Sequence, residues 1–193
     1  MTQPTSAALD TSIIARLWPQ TAGNALLRGV VLVLAGTALL ALSARVQVPF
    51  WPVKMSMQDF VVLTLAVVYG SRLAAATVVA YIAEGALGLP VFVSGGGLAY
   101  FAGPTTGYLA GFVVAAFVVG TLAERGIMRS WLGALAGFVT GYAIILSLGL
   151  AWLSTLIGFE KAFAVGVLVF LPAGTLKIAL ATALMPVLRR AAR

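Results

Sequence analysis

The chain has 193 residues, 62% of them hydrophobic and only 9% charged, where a soluble domain carries about a quarter charged residues; its mean hydropathy is +1.09. These values exclude a soluble globule and predict a helical polytopic membrane protein, and the apolar runs do not alternate with polar residues as the strands of a transmembrane β-barrel do. With no cysteine and no histidine, thiol nucleophiles, disulfides, imidazole bases and the commonest zinc ligands are removed, and the net charge of +7 is to be read by membrane side, not as a nucleic-acid footprint.

Residues 1–24 are mostly polar, contain Pro4 and Pro19 and have no apolar h-region. They predict a polar cytoplasmic N-terminal segment, not a cleavable signal. A spanning helix needs about 20 apolar residues. The runs 25–44, 105–123, 131–156 and 162–188 meet this, and 57–70 and 72–88 predict two shorter helices broken at Tyr69-Gly70-Ser71-Arg72. The expectation is an all-α domain of six transmembrane helices over residues 25–190. Short or interrupted apolar segments, such as the second and third, often lie near a transporter's binding site.

Charge gives the orientation. With the N-terminus inside, Arg16, Arg28, Arg72, Arg125, Arg129, Arg189, Arg190 and Arg193 face the cytoplasm. Only Arg45, Lys54 and Lys161 face out, and Lys177 falls within the sixth helix. The positive-inside rule favours this arrangement, so both termini are expected in the cytoplasm. Both elaborated loops, 45–56 and 89–104, then lie on the outer face, which points to capture of something there.

The helices are rich in small residues. Gly107 and Gly111, then Gly133, Gly137 and Gly141, recur at four-residue spacing, and Ala35, Ala38, Ala41 and Ala44 at three. Such faces let helices approach closely in lipid, either within the bundle or against another membrane subunit.

Ionisable residues within a membrane are functional suspects. Lys177 reads either as a structural partner of Glu84 or as a cation waiting for an anionic ligand. Asp59 and Gln58 lie at the outer start of the second helix, and Asp59 and Lys54 are near the interface, where solvated charges are ordinary. In the loop "GLPVFVSGGGLAYFAGPTTGYLAG", Gly95, Gly96 and Gly97 admit close backbone approach to a ligand, and Pro90 and Pro104 stiffen the ends. Phe92, Tyr100 and Phe101 supply apolar area, Tyr108 adds a polar handle, and Thr105 or Thr106 is placed to cap the next helix. The glycine triplet lacks the Lys-Ser/Thr ending of a phosphate loop. Together these residues predict an outward pocket for a small ligand, partly apolar and anionic at one end.

"GALGLPVFVSGGG" followed by "GPTTGYLAGF" resembles the signature of the BioY family, the biotin-specific substrate-binding (S) components of energy-coupling factor (ECF) transporters. "VPFWPVKMSMQDF" is similar to a second family segment through Val48, Pro49, Pro52, Val53 and Gln58, and "FLPAGTLKIALA" to a third, which ends on Lys177. The resemblance covers residues 25–190. It implies a six-helix fold in a bacterial cytoplasmic membrane and capture of biotin from outside, with no cofactor and no enzymatic activity. It also implies a site built from Lys177, Gln58, Tyr108 and the Gly95–Gly97 loop. Glu84, Phe92, Tyr100, Lys54 and Arg45 complete the candidate set. The implied partners are a transmembrane coupling subunit and two ATPase subunits, since the chain has no ATP-binding motif; self-association and stand-alone transport stay open. Two departures stand out. The acidic residue that the family carries three positions before the lysine is Gly174 here, so its ureido contact falls to another residue, with Glu84 the candidate, or the ligand is a different vitamin. The first helix has alanines at three-residue spacing in place of the family's Ala-x-x-x-Ala docking feature.

Overall fold

The computed structural model describes residues 13–18, 23–48 and 55–191. Lys54, together with Pro49, Pro52 and Val53 of the second motif, lies outside the described residues. Among the described residues the regular elements, short 3-10 turns aside, are eight α-helices and one two-stranded hairpin: α1 (Ile13–Leu17), α2 (Ala25–Arg45), α3 (Gln58–Tyr69), α4 (Ser71–Ala86), α5 (Thr106–Glu124), α6 (Trp131–Ile157), α7 (Phe159–Gly166) and α8 (Leu171–Ala191). Strands β1 (Gln47–Val48) and β2 (Met55–Ser56) pair antiparallel, Gln47 opposite Ser56 and Val48 opposite Met55.

Among the described residues four segments are long and apolar enough to cross a membrane: α2, α5, α6 and the α7–α8 segment. At about 1.5 Å per residue, α3, with 12 residues, spans only about 18 Å, short of the ~30 Å hydrocarbon core. It lies in the middle of the bundle, packed against α1, α2, α4, α5, α6 and α8. Eight of its positions are buried, Gln58 and Asp59 among them. Gly70, at φ +80°, turns the chain directly into α4. The Glu124 carboxylate at the end of α5 accepts from the Ser71 amide (2.7 Å) and hydroxyl, and so satisfies the first turn of α4 with a negative charge where the helix dipole favours one.

The glycine faces pack within the bundle. A side chain at Gly107 would meet α6 at Leu148, Gly149 and Trp152, and one at Gly111 would meet Ile145. Gly133 rests on the Ile127 carbonyl, Gly137 on Met128, and Gly141 on Leu63 and Val119. The Gly133 series is thus an intramolecular contact. The α2 face that carries Leu27, Val31, Leu34, Leu39 and Leu42 is exposed.

The structure departs from the expected elements in three places. The segment 13–17, expected as part of a polar arm, forms α1 with Ile13 and Ile14 on the core, because two adjacent isoleucines supply an apolar face even in a polar stretch. The expected helix 162–188 is interrupted. Pro172 has no N–H to continue a helix from the preceding turn, and the chain passes through Val167 (φ −125°, ψ −63°) and a 3-10 turn, Leu168–Phe170, before α8 begins. Neither threonine caps α5 through its side chain; the Thr106 hydroxyl donates instead to the Phe101 carbonyl (2.8 Å).

Candidate functional site

At the end of the bundle where α3 and α5 begin, a cavity of about 50 Å³ lies among α3, α5, α6, α8 and the two loops. Its polar end is made by Ser56, Gln58, Asp59 and Lys177. Its apolar walls are Val93, Leu109, Phe112, Ile145, Leu146 and Phe170, and Tyr100, Thr105, Tyr108 and Tyr142 complete the lining.

Lys177 projects from α8 into the centre of the site and is 8% exposed. Its Nζ donates to both oxygens of Asp59 (2.8 and 2.9 Å) and to the Ser56 carbonyl (2.6 Å). All three acceptors are needed, because a buried charge is tolerated only when it is paired and hydrogen-bonded. Two expectations are corrected here. Lys177 pairs with Asp59, not Glu84, and Asp59 is a buried residue of the site, not a solvated interfacial charge. The reason is the shortness of α3: starting deep within the bundle, it carries its first turn to the level of Lys177.

Gly174 has a physical reason. A side chain there would run into the Tyr142 ring, and Tyr142 itself lines the cavity and donates its hydroxyl to the Phe170 carbonyl (3.0 Å). Tyr108 plays a parallel part. Its ring lies over Gly149, its hydroxyl donates to the Gly166 carbonyl (2.8 Å), and it stacks near Phe170. The Phe170 amide bonds to Val167, which leaves the Gly166 carbonyl without its helical donor, so Tyr108 satisfies a group freed by the break in the last span.

The loop 89–104 is tied at both ends. Arg45 Nη2 donates to the Pro90 carbonyl (2.5 Å), and Trp152 Nε1 to that of Gly103 (2.9 Å). Gly95 (φ +120°) and Gly97 (φ +96°) adopt backbone conformations that L side chains rarely take. At Gly96 a Cβ would collide with the Leu89 carbonyl, and the neighbouring Gly97 amide donates to the Gly85 carbonyl (2.7 Å). The close approach at the triplet is therefore to the protein's own backbone. Phe92 is 1% exposed and packs edge-on against Tyr81 and Phe101 and beside Tyr100. Burial pushes the Tyr100 phenol above its usual range.

Of the residues singled out from the sequence, Lys177, Gln58, Tyr100 and Tyr108 line the cavity. Phe92, Gly95, Gly96 and Gly97 build the loop behind it, Arg45 fastens that loop, and Glu84 is half-buried outside the lining. Asp59, Ser56 and Tyr142 enter the site without having been expected there. Asp59 had a signal, since it is an acid beside Gln58 in an apolar run; Tyr142, within a long apolar helix, had none.

The BioY family profile matches residues 13–193. The chain is 42% identical to the biotin transporter BioY of Thermotoga maritima over 58% of this chain and 66% of that protein. It is 37% identical to the probable biotin transporter BioY of Pyrococcus horikoshii over 75% of this chain and 85% of that one. A crystal structure of the S-component for biotin from an ECF-type ABC transporter superposes with a TM-score of 0.77 at 25% identity, covering 89% of this chain and 95% of the other. The motifs, the fold and the whole-chain match agree, and the chain belongs to the BioY family.

Proposed function

We propose that this protein is the biotin-capturing S component of a vitamin uptake system. The observation that carries this reading is the cavity's division into a polar end, where Lys177 and Asp59 pair beside Gln58, and an apolar, tyrosine-rich remainder. Because Asp59 already neutralises Lys177, a ligand carboxylate at that end would bring a second, unpaired negative charge into a buried site, which is costly. The pair suits a neutral group with donors and an acceptor side by side. The ureido ring of biotin is such a group: its carbonyl accepts from Lys177 or the Gln58 amide, and its N–H groups donate to Asp59. Asp59 thereby supplies from α3 the carboxylate that the family places at the position of Gly174. The tail carboxylate then points to the outer mouth, towards Arg45. Tyr100 and Tyr108 line the pocket, and the Gly95–Gly97 loop with Phe92 closes it from behind.

Small-molecule pockets measure about 300–1,000 Å³, so the ~50 Å³ cavity corresponds to a closed arrangement, and loop 89–104 moves away for entry. The membrane domain spans residues 25–190 with six helices, α3 and α4 crossing in company with their longer neighbours. Both termini lie in the cytoplasm of a bacterial cell. The protein performs no covalent chemistry; a transmembrane coupling subunit and two ATPase subunits energise release. Equilibrium binding of biotin to the purified protein, with thiamine and riboflavin as controls, tests the reading. Tight binding of biotin alone supports it. A folded protein that prefers another vitamin would assign a different ligand to the same architecture.

A further inference from the structure

Tyr81 in α4 is fully buried, at 0% exposure, and does not line the cavity. Its hydroxyl nevertheless joins the two outer loops. Gln58 Nε2 donates to Tyr81 Oη (2.6 Å), and Tyr81 Oη donates to the Val91 carbonyl (2.8 Å). Behind Gln58 the chain of bonds continues: the Ser56 hydroxyl donates to Gln58 Oε1 (3.1 Å), and the Ser56 carbonyl accepts from Lys177 (2.6 Å). Ser56 belongs to the hairpin that closes loop 45–56, and Val91 begins the turn in which Phe92 and Gly95 exchange backbone hydrogen bonds.

We propose that Tyr81 is a positioning residue that couples closure of the 89–104 loop to the polar end of the pocket. A hydroxyl is required at this place. It must accept from one side and donate to the other, and no apolar ring of the same shape does either. Hydrogen bonds aligned in this way strengthen one another in a low-dielectric interior. A ligand that orders Gln58 therefore also holds Val91, and with it Phe92 and the glycine turn. The consequence is kinetic: Tyr81 keeps the loop shut once the ligand is in and contributes little to encounter. This inference rests on the proposed biotin site for one of its two readouts.

The test is Tyr81→Phe, which keeps the ring and its edge-on contact with Phe92, compared with the wild-type protein in lipid nanodiscs. Stopped-flow biotin binding should show dissociation faster by about ten-fold, as expected when buried donors and acceptors lose their partner, with association changed less than about two-fold. Amide exchange without ligand should accelerate at Phe92, Gly95 and Gly97, whose bonds define the loop, and not at the buried amides of α5 and α6. Unchanged dissociation with unchanged loop exchange overturns the proposal, and so does a uniform rise of exchange across the bundle, which is the signature of lost packing alone. If the wild-type protein binds no biotin, the functional reading falls and loop exchange alone decides the role of Tyr81.

Discussion

Replacing Asp59 by Asn removes one charge from a pair whose two side chains are each only 10% exposed. The isosteric amide keeps the volume and one acceptor oxygen but leaves the Lys177 ammonium uncompensated among Tyr142, Phe170 and the apolar walls. Breaking a buried pair from one side costs about 3–5 kcal/mol. If the whole cost falls on the ligand-bound arrangement, biotin affinity drops by about two to three and a half orders of magnitude, at about 1.4 kcal/mol per decade. Calorimetric titration together with thermal unfolding of Asp59→Asn measures both parts. The double variant Asp59→Asn/Lys177→Met separates recognition from structure. Removing both charges restores most of the stability, because the desolvation cost of the pair disappears with its attraction, while affinity stays low because the charged acceptor and the lysine donor are both gone. Wild-type affinity in the double variant would refute the assignment of the ureido site. Wild-type stability and affinity in Asp59→Asn would refute the claim that the pair matters.

Gly96→Val drives a side chain into the Leu89 carbonyl and should cost about 1–3 kcal/mol of loop seating, read as a loss of biotin affinity of at least about five-fold in a protein whose thermal unfolding is little changed. Gly174→Asp places a carboxylate where the Tyr142 ring lies and a second negative charge near Asp59; unfolding should occur at lower temperature, with a loss of about 1–3 kcal/mol from overpacking alone, and a more stable variant would contradict the explanation given for the glycine. Iminobiotin, whose head is a protonated guanidine-type cation at neutral pH, should bind more weakly than biotin in competition assays, because it meets Lys177 as a like charge and offers it no acceptor. Equal affinity would place the head group elsewhere.

Much of the molecule was legible from local signals. Hydropathy runs located α2, α5 and α6 within a residue or two, because a helix in lipid must satisfy its own backbone and show an apolar surface along its whole length. The motifs carried the family and its ligand class. Local reading failed at the last span: the run 162–188 breaks at Val167–Phe170, just ahead of Pro172, and Tyr108 satisfies the carbonyl freed there.

The sequence by itself determined that the chain is a helical membrane protein, where its long helices run, and which two loops are elaborated. Only the tertiary structure decided that Lys177 pairs with Asp59, 118 positions away, that Tyr142 occupies the space above Gly174, and that Tyr81 links the loops. The division has a physical cause. Apolar length is a property of consecutive residues, whereas the partner of a buried charge depends on how deep a short helix such as α3 begins within the bundle, and that depth is set by packing against helices distant in the chain.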